Sequence, residues 1–264
     1  MTSSQQKTIT LLSDFGTNNH YVGAMKGVIL NICPHAQIID ITHGIPHFQI
    51  KQAGFELACC YDDFPTGTIH VAVVDPGVGS SRKGLLIKTK HHNFIGPDNG
   101  LFDLILQREH DAEIFELDPE KIHTPKNSHT FHGRDLFSPA AAFLAKGVSP
   151  ENIGKKISFT AKSKPKRTDF PLEGEVIRID HFGNCITDIH KSELGENAFS
   201  QKWQLNIAQK TFHKIAAYYS ESEHGSETAL IGSSGFLEFS INQGNFSKHN
   251  HISEGCPVHV EKQK

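Results

Sequence analysis

The chain has 264 residues, a formal net charge of −3 and a hydrophobic fraction of 37%, which suit one large globular domain or two modest ones. This charge balance gives no basic excess for nucleic acid, and no run of about 18 apolar residues indicates a membrane span. The first apolar run is short and ends at Ser13-Asp14, so we predict no signal peptide. The five cysteines show no CxxC spacing and are odd in number. They are typical of buried thiols in a reducing cytosol, and we expect a cytoplasmic protein.

Strands and helices alternate through the first part of the chain. The predicted strands cover residues 8–12, 37–42, 69–74, 85–88, 93–95 and 114–117. The predicted helices cover residues 21–32, 49–61, 101–107 and 136–146. This alternation is typical of an α/β fold with a largely parallel central sheet, which we predict for an N-terminal domain over residues 1–157.

The composition changes after this domain. Residues 158–171 are polar and basic and include two prolines, which predicts a linker. Beyond the linker the pattern indicates strands only, at residues 203–207, 211–219, 228–231 and 236–241, with a hairpin-like pair around residues 180–184. We therefore predict a small C-terminal antiparallel β-barrel over residues 172–264.

Carboxylates follow two predicted strands of the α/β domain. The apolar run Ile69 to Val74 stops at Asp75, a Pro-Gly loop follows, and Arg82 returns seven residues after the acid. Asp14 closes the first strand in the same way. Ligands of parallel sheets bind at the carboxyl ends of the strands, so these residues are site candidates. A turn-capping role for Asp75, with Arg82 as a solvated charge, explains the pattern about equally well.

A third loop, residues 130–135, adds His132 beside Arg134 and Asp135. Arginine supplies fixed positive charge, while aspartate and histidine orient a nucleophile or accept its proton, so the combination suits the handling of water. His132 taken alone is more readily explained as a structural histidine. The chain contains no GxSxG, GxxxxGK[ST] or GxGxxG motif, which leaves a serine hydrolase, a P-loop and a dinucleotide site unsupported.

Eight segments carry a family resemblance, in order and in both predicted domains. They are SDFG (13–16), YVGAMKGVI (21–29), DITHGIP (40–46), VVDPGVGSSR (73–82), IGPDNGLF (95–102), TFHGRDLFSPAAA (130–142), IDHFGNCITDI (179–189) and GSSGFLEF (232–239). The set resembles the S-adenosylmethionine hydroxide adenosyltransferases, the water-using relatives of the fluorinase and chlorinase. The resemblance implies hydrolysis of S-adenosylmethionine to adenosine and methionine, with no cofactor and no metal. It also implies a homotrimer with sites at the subunit interfaces.

The same resemblance assigns residues. It implies that Asp75, Arg82 and His132 are catalytic and that Asp14 binds the ribose hydroxyls. The other substrate-binding residues that it implies are Phe48 and Phe131 around the sugar, Asp180, Ser233 and Ser234 at the methionine end, Phe182 and Asn184 at adenine, Glu238, and Phe246 within a segment whose backbone meets adenine.

Three departures from the fluorinase pattern concern the nucleophile. The fluorinase has Tyr, Thr and Ser where this chain has Asp75, Val78 and Gly133, and the chlorinase also lacks the aspartate. Because those residues bind halide, the resemblance favours water here. At the methionine end, this chain has Ser234 in place of an arginine, and Asn19 and Tyr21 depart from the fluorinase's acid and serine.

Two other functions stay open. One is a metal-dependent hydrolase, since carboxylates and imidazoles at strand ends suit Mn or Zn, although no HxH or HExxH spacing appears. Its candidate ligands are Asp14, Asp75, Asp98, His43 and His132. The other is a non-catalytic protein that binds adenosine or S-adenosylmethionine. Such a protein would not need the Asp75, Arg82 and His132 set.

Overall fold

The structure is a computed structural model that describes residues 7–122, 128–158 and 169–263. Its contacts divide the chain into two compact units, residues 1–163 and 164–264. Most of the predicted linker, 158–171, lies outside the described residues. Among the described helices, none is long and apolar enough to cross a membrane.

The N-terminal unit is built on a seven-stranded sheet. Its strands are β1 (Thr8–Ser13), β2 (Gln37–Thr42), β3 (Ile69–Val73), β4 (Gly84–Lys88), β5 (Asn93–Pro97), β6 (Glu113–Leu117) and β7 (Gly154–Lys156), and its helices are α1 (Tyr21–Ile32), α2 (Ile50–Cys60), α3 (Asp103–Leu106) and α4 (Ser138–Ala145). The strand order is β2-β1-β3-β5-β4-β6-β7. The strands β2, β1, β3 and β5 pair in parallel, and β4, β6 and β7 extend the sheet in antiparallel pairs.

Both faces of the sheet are covered, because side chains of its central strands alternate between two apolar clusters. Leu11 and Val71 belong to a cluster that includes residues of α1 and α4, whereas Leu12 and Ala72 belong to one that includes residues of α2. All five residues of β3 are buried, as expected for a central strand with helices on both sides. The predicted α/β fold is confirmed as a three-layer arrangement.

The carboxyl ends of β1 and β3 lie side by side. Ser13 is in register with Val73 in this parallel pair. The residues that follow, Asp14 on one strand and Val74-Asp75 on the other, therefore leave the sheet at the same edge. This is the edge at which open parallel sheets bind ligands.

The C-terminal unit is a seven-stranded antiparallel sheet of order β11-β10-β14-β8-β9-β13-β12. Its strands are β8 (Leu172–Ile179), β9 (Cys185–His190), β10 (Trp203–Ile207), β11 (Lys210–Phe212), β12 (Glu227–Ile231), β13 (Phe236–Ile241) and β14 (Pro257–Lys262), with the short helices α5 (Lys191–Leu194) and α6 (Phe246–Asn250). A bridge between Ala216 and Leu230 joins the β12 edge to the segment after β11, so the sheet nearly closes into the predicted barrel.

Two predicted elements differ in the structure. The predicted strand 211–219 is wrong beyond Phe212, where β11 ends, because after it only the isolated bridge at Ala216 pairs this segment with another strand. The predicted helix 136–146 is preceded by a π-helical turn at Gly133–Phe137 and becomes α-helical only at Ser138. Such turns are frequent at functional sites.

Candidate active site

Asp75 and Arg82 form a bidentate ion pair at the end of β3. The Nε atom of Arg82 donates to Oδ1 of Asp75 at 2.9 Å, and Nη2 donates to Oδ2. Only 9% of the arginine side chain and 5% of the aspartate side chain are exposed. Two parallel hydrogen bonds between planar groups fix both orientation and distance, so the carboxylate is held in one position.

His132 joins this pair through the same guanidinium. The Nη2 atom of Arg82 lies 2.6 Å from Nδ1 of His132. Because a guanidinium can only donate, Nδ1 must accept, and the proton of the neutral ring is then on Nε2. Burial, and next the positive charge of Arg82, lower the pKa of His132 below its usual range. The structure thus brings the three predicted catalytic residues together, with Arg82 in the middle.

Asp75 and His132 line a pocket of about 150 Å³ whose other wall is aromatic. Phe15, Tyr21 and Phe131 form this wall, and the ring centroid of Phe131 lies 5.7 Å from that of Phe15 and 5.2 Å from that of Tyr21. The pocket is smaller than the roughly 300–1,000 Å³ of a typical ligand site. It can hold a water beside one end of a substrate.

Arg134 and Asp135 brace the loop that carries His132. Arg134 donates to Asp135 from Nε at 2.6 Å and from Nη2 at 2.8 Å, and Ser128 donates from its backbone and its hydroxyl at 2.9 Å. Burial raises the pKa of Asp135, but these hydrogen bonds outweigh it and lower the pKa overall. The guanidinium of Arg134 also lies over the Phe131 ring at 5.1 Å. This pair therefore has a structural role here.

Two glycines shape the loops around the pocket. Gly79 has φ +80°, and a Cβ there would lie 2.7 Å from the His129 carbonyl oxygen, so the Pro-Gly loop packs closely on the histidine loop. Gly133 lines the pocket, and a Cβ there would lie 3.1 Å from the Phe131 ring and 3.2 Å from the Met25 sulfur. A side chain at this position would require the Phe131 ring and the Met25 sulfur to shift slightly.

Asp14 and Phe48 form a second group at the same sheet edge. The backbone N–H of Phe48 donates to Oδ2 of Asp14 at 3.1 Å, and Asp14 is only 8% exposed. Phe48 itself has φ +66° and is 66% exposed. A left-handed phenylalanine is strained, and such strain is typical of functional loops. Neither residue lines the 150 Å³ pocket, although Phe15, which follows Asp14, does.

A larger pocket, of about 750 Å³, lies in the C-terminal unit. Six of the residues predicted to bind substrate line it, namely Asp180, Phe182, Asn184, Ser233, Ser234 and Glu238. The rest of its lining consists of Ile186, Tyr219, Ile241, Gln243, Gly244 and Asn245. The predicted residues of the barrel domain thus share one concave surface, with one exception.

That exception is Phe246. Its side chain is fully buried, and its ring centroid lies 6.1 Å from those of Phe239 and Phe212 in the core of the unit. A ligand in the pocket cannot reach this ring. The contact predicted for this segment is through its backbone, and it stays a prediction; the neighbouring Gly244 and Asn245 do line the pocket.

Asp180 organises one side of the larger pocket. Its Oδ1 accepts the backbone N–H groups of Phe182 and Asn184 at 2.9 Å, and its Oδ2 accepts the Asn184 side-chain amide at 2.9 Å. Gly183 has φ +89°, and a Cβ there would collide with Asn245 at 2.1 Å. The turn is therefore fixed before any ligand arrives, and it presents Phe182 with 73% of the residue exposed.

Tyr219 is a pocket residue that the sequence reasoning missed. Its hydroxyl donates to Glu238 Oε1, and Ser240 donates to the same oxygen at 3.3 Å. Burial is the largest cause that raises the pKa of Glu238, which is 4% exposed. The only sequence signal for Tyr219 is an aromatic residue within the segment predicted as a strand.

The metal-binding alternative finds no matching arrangement in the described parts of the chain. No group of three or more His, Cys, Asp or Glu side chains is placed there to hold a metal ion. Of its candidate ligands, Asp75 and His132 contact Arg82, while His43 contacts Ser13.

Comparison with known proteins places this geometry in a family. Residues 9–154 match the SAM hydroxide adenosyltransferase N-terminal domain and residues 174–259 match the C-terminal domain. A protein of Methanocaldococcus jannaschii named (R)-S-adenosyl-L-methionine hydrolase is 38% identical, over 91% of this chain and 90% of that protein. A protein of the same name from Thermus thermophilus is 33% identical, over 96% of this chain and 99% of that protein. The crystal structure of an uncharacterized conserved protein from Thermotoga maritima has a TM-score of 0.84 and 35% identity, covering 96% of this chain and 99% of that one. The chain belongs to the SAM hydroxide adenosyltransferase family.

Proposed function

We propose that the protein is an S-adenosylmethionine hydrolase that forms adenosine and L-methionine. The observation that carries the proposal is the contact of Arg82 with both Asp75 and His132 beside a small aromatic-walled pocket. The names of the Methanocaldococcus and Thermus relatives support the same activity. In this reaction, a water attacks the ribose 5′ carbon and methionine leaves.

The chemistry needs little beyond a positioned, desolvated water. Methionine leaves a sulfonium as a neutral thioether, so no acid has to protonate the leaving group. Holding the water in line with the breaking C–S bond can contribute roughly 7–11 kcal/mol in favourable cases. Asp75 is the acceptor for the water's proton, because the Nδ1 atom of His132 already accepts from Arg82 and its Nε2 carries hydrogen. The aromatic wall covers one side of the pocket and limits the access of competing solvent there.

The residues that line this pocket favour water over a halide ion as the nucleophile. The Asp75 carboxylate lines the pocket, and its ion pair with Arg82 leaves no excess positive charge there to attract an anion. Val78 and Gly133, which also line the pocket, provide no hydroxyl to bind one. The reaction proposed here uses neither a metal nor a cofactor.

We further propose a cytoplasmic homotrimer whose sites combine the N-terminal unit of one subunit with the C-terminal unit of the next. In support, Asp14, Asp75 and His132 belong to one unit while Asn184 and Ser233 belong to the other. A pocket of about 150 Å³ cannot enclose a nucleoside alone. A head-to-tail interface can close at three-fold symmetry, which makes such shared sites geometrically allowed.

The activity is tested with purified protein and each sulfonium epimer of S-adenosylmethionine, because the two hydrolase relatives are named for the (R) form. Chromatography should detect adenosine and methionine in equal amounts, with or without a chelator. Asp75→Asn serves as the control with strongly reduced turnover. Tight binding of adenosine without any turnover would instead establish the non-catalytic alternative, and loss of activity on chelation would favour the metal-dependent one.

A further inference from the structure

His43 lies behind the ribose-binding candidate Asp14, in the loop after β2. It is 6% exposed, and its Nδ1 atom lies 2.7 Å from the hydroxyl of Ser13, which is fully buried. Its Nε2 atom lies 3.2 Å from Oδ1 of Asp40, outside good hydrogen-bond alignment. Asp40 in turn accepts a hydrogen bond of 2.6 Å from Lys26 on α1. The side chains of Lys26, Asp40, His43 and Ser13 thus form a continuous line of polar contacts from the surface to β1.

One proton arrangement satisfies this line. The Nε2 atom of His43 faces the Asp40 carboxylate, which favours the ring proton on Nε2. The Nδ1 atom then accepts from the Ser13 hydroxyl, whose oxygen also accepts the Phe15 backbone N–H at 3.3 Å. Burial raises the pKa of Asp40, but the hydrogen bond from Lys26 and the nearby His43 ring outweigh it and lower the pKa overall. The carboxylate is thus an ionised partner near neutral pH.

The serine, histidine and aspartate are in the order of a hydrolytic triad, but Ser13 cannot act as a nucleophile. It has no exposed surface, and it lies within β1 between the sheet's two neighbouring strands. A substrate cannot reach its hydroxyl. The line therefore serves to hold backbone in place.

The backbone that it holds carries Asp14. His43 is connected to the segment around Asp14 at two points, through its ring to Ser13 and through its carbonyl oxygen, which accepts from Gly16 N–H at 2.8 Å. Five residues further on, the strained Phe48 donates its N–H to Oδ2 of Asp14 at 3.1 Å. The loop 43–48 thus joins both the backbone beside Asp14 and its carboxylate.

We propose that His43 is a positioning residue that fixes Asp14 for binding the ribose diol. The inference rests on the proposed function, since it takes a nucleoside as the ligand of Asp14. It assigns His43 no contact with substrate.

The chain offers a matched control in His70. This residue is also fully buried, and its Nδ1 atom lies 2.8 Å from the hydroxyl of Thr10, which is on the same strand as Ser13. His70→Ala should therefore cost folding stability through the same kind of contact. It leaves the loop 43–48 intact.

The test compares binding of adenosine with binding of 2′-deoxyadenosine and 3′-deoxyadenosine by calorimetry. The wild type should prefer adenosine by about tenfold or more, as expected when a charged acceptor loses a hydroxyl partner. His43→Ala should reduce this preference towards unity, as Asp14→Ala does, and the double variant should lose nothing further. His43→Gln, which keeps a polar side chain, should retain more of the preference. His70→Ala should keep all of it.

A full ribose preference in His43→Ala, with that preference lost in Asp14→Ala, would overturn the inference. A wild type without any ribose preference would count against the proposed function instead. In that case, hydrogen exchange of backbone amides in the ligand-free protein tests whether His43 positions Asp14. The Phe48 N–H should exchange about tenfold faster in His43→Ala and Asp14→Ala than in the wild type or His70→Ala. An unchanged Phe48 rate in a folded His43→Ala protein would also overturn the inference.

Discussion

Arg82 donates to the Nδ1 atom of His132 at 2.6 Å with the same nitrogen that contacts Asp75. The arginine therefore determines the tautomer of the histidine as well as the position of the carboxylate. Removing Arg82 frees both partners at once. This relationship gives the three residues unequal roles: Asp75 accepts a proton, His132 presents an N–H, and Arg82 holds them together.

Asp75→Asn should reduce kcat by about 10²- to 10⁴-fold, the usual contribution of a general base. The amide keeps the volume and one acceptor oxygen, so adenosine binding should change little. Steady-state kinetics and calorimetry of product binding provide the two measurements. An increase in KM alone, with kcat intact, would show that Asp75 binds substrate and does not act on water.

Arg82→Lys should be nearly as damaging as Arg82→Ala, because a lysine cannot contact Asp75 through two nitrogens and also donate to His132. The effects of Arg82→Lys and His132→Ala should not add, since groups that act as a unit lose their function together. A double-mutant cycle in kcat/KM measures this coupling. Simple additivity of the two losses would mean that the observed contact has no catalytic meaning.

The pH–rate profile should be flat near neutrality and fall only below the ordinary histidine pKa of 6.5. Burial and Arg82 lower the pKa of His132, so its neutral form persists below that value. Protonation removes the acceptor at Nδ1 and sets two cations against each other. An acidic limb centred clearly above pH 6.5 in kcat would contradict this tautomer assignment.

Acid should also weaken the fold through His70. Burial lowers the pKa of His70 from 6.5 to about 3. The unfolded chain therefore binds a proton there that the folded protein does not, and the free energy of unfolding decreases as the pH falls from 6.5 towards 3. Denaturant titrations of the wild type and His70→Gln measure the effect. The variant should show the smaller decrease between pH 7 and pH 5, and equal decreases would be against the prediction.

Shared sites between subunits can be tested by complementation. His132→Ala and Asn184→Ala change different units, and each should be inactive or nearly so alone. If one site uses both units from neighbouring chains, random assembly leaves roughly a quarter of the sites intact when the variants are co-expressed. If each chain contributes its whole site, the mixture stays inactive, even if the protein is trimeric.

Much of this arrangement could be predicted from the order of residue types along the chain. An apolar run that stops at Asp75 is a local pattern, and parallel pairing of β1 with β3 then brings Asp14 to the same edge. The positions of Asp180 and Asn184 also follow from local chemistry, since a carboxylate that accepts nearby backbone N–H groups defines a turn.

The features of the fold and the site that could not be predicted depend on long-range packing. The contact of His43 with Ser13 joins residues 30 positions apart, and no local pattern marks it. Tyr219 reaches Glu238 only because the chain leaves the sheet after Phe212, where a longer strand was predicted. Phe246 follows two pocket residues, yet its side chain packs in the core, and no local pattern in the sequence indicates this orientation.

The most direct test of the central claim is hydrolysis in ¹⁸O-labelled water, with mass spectrometry of the adenosine. Attack of water at the 5′ carbon places the label on the 5′ oxygen and leaves methionine unlabelled, and Asp75→Asn should form the labelled product about 10²- to 10⁴-fold more slowly. Adenosine without label, or 5′-chloroadenosine as the only nucleoside product in the presence of chloride, would contradict the account.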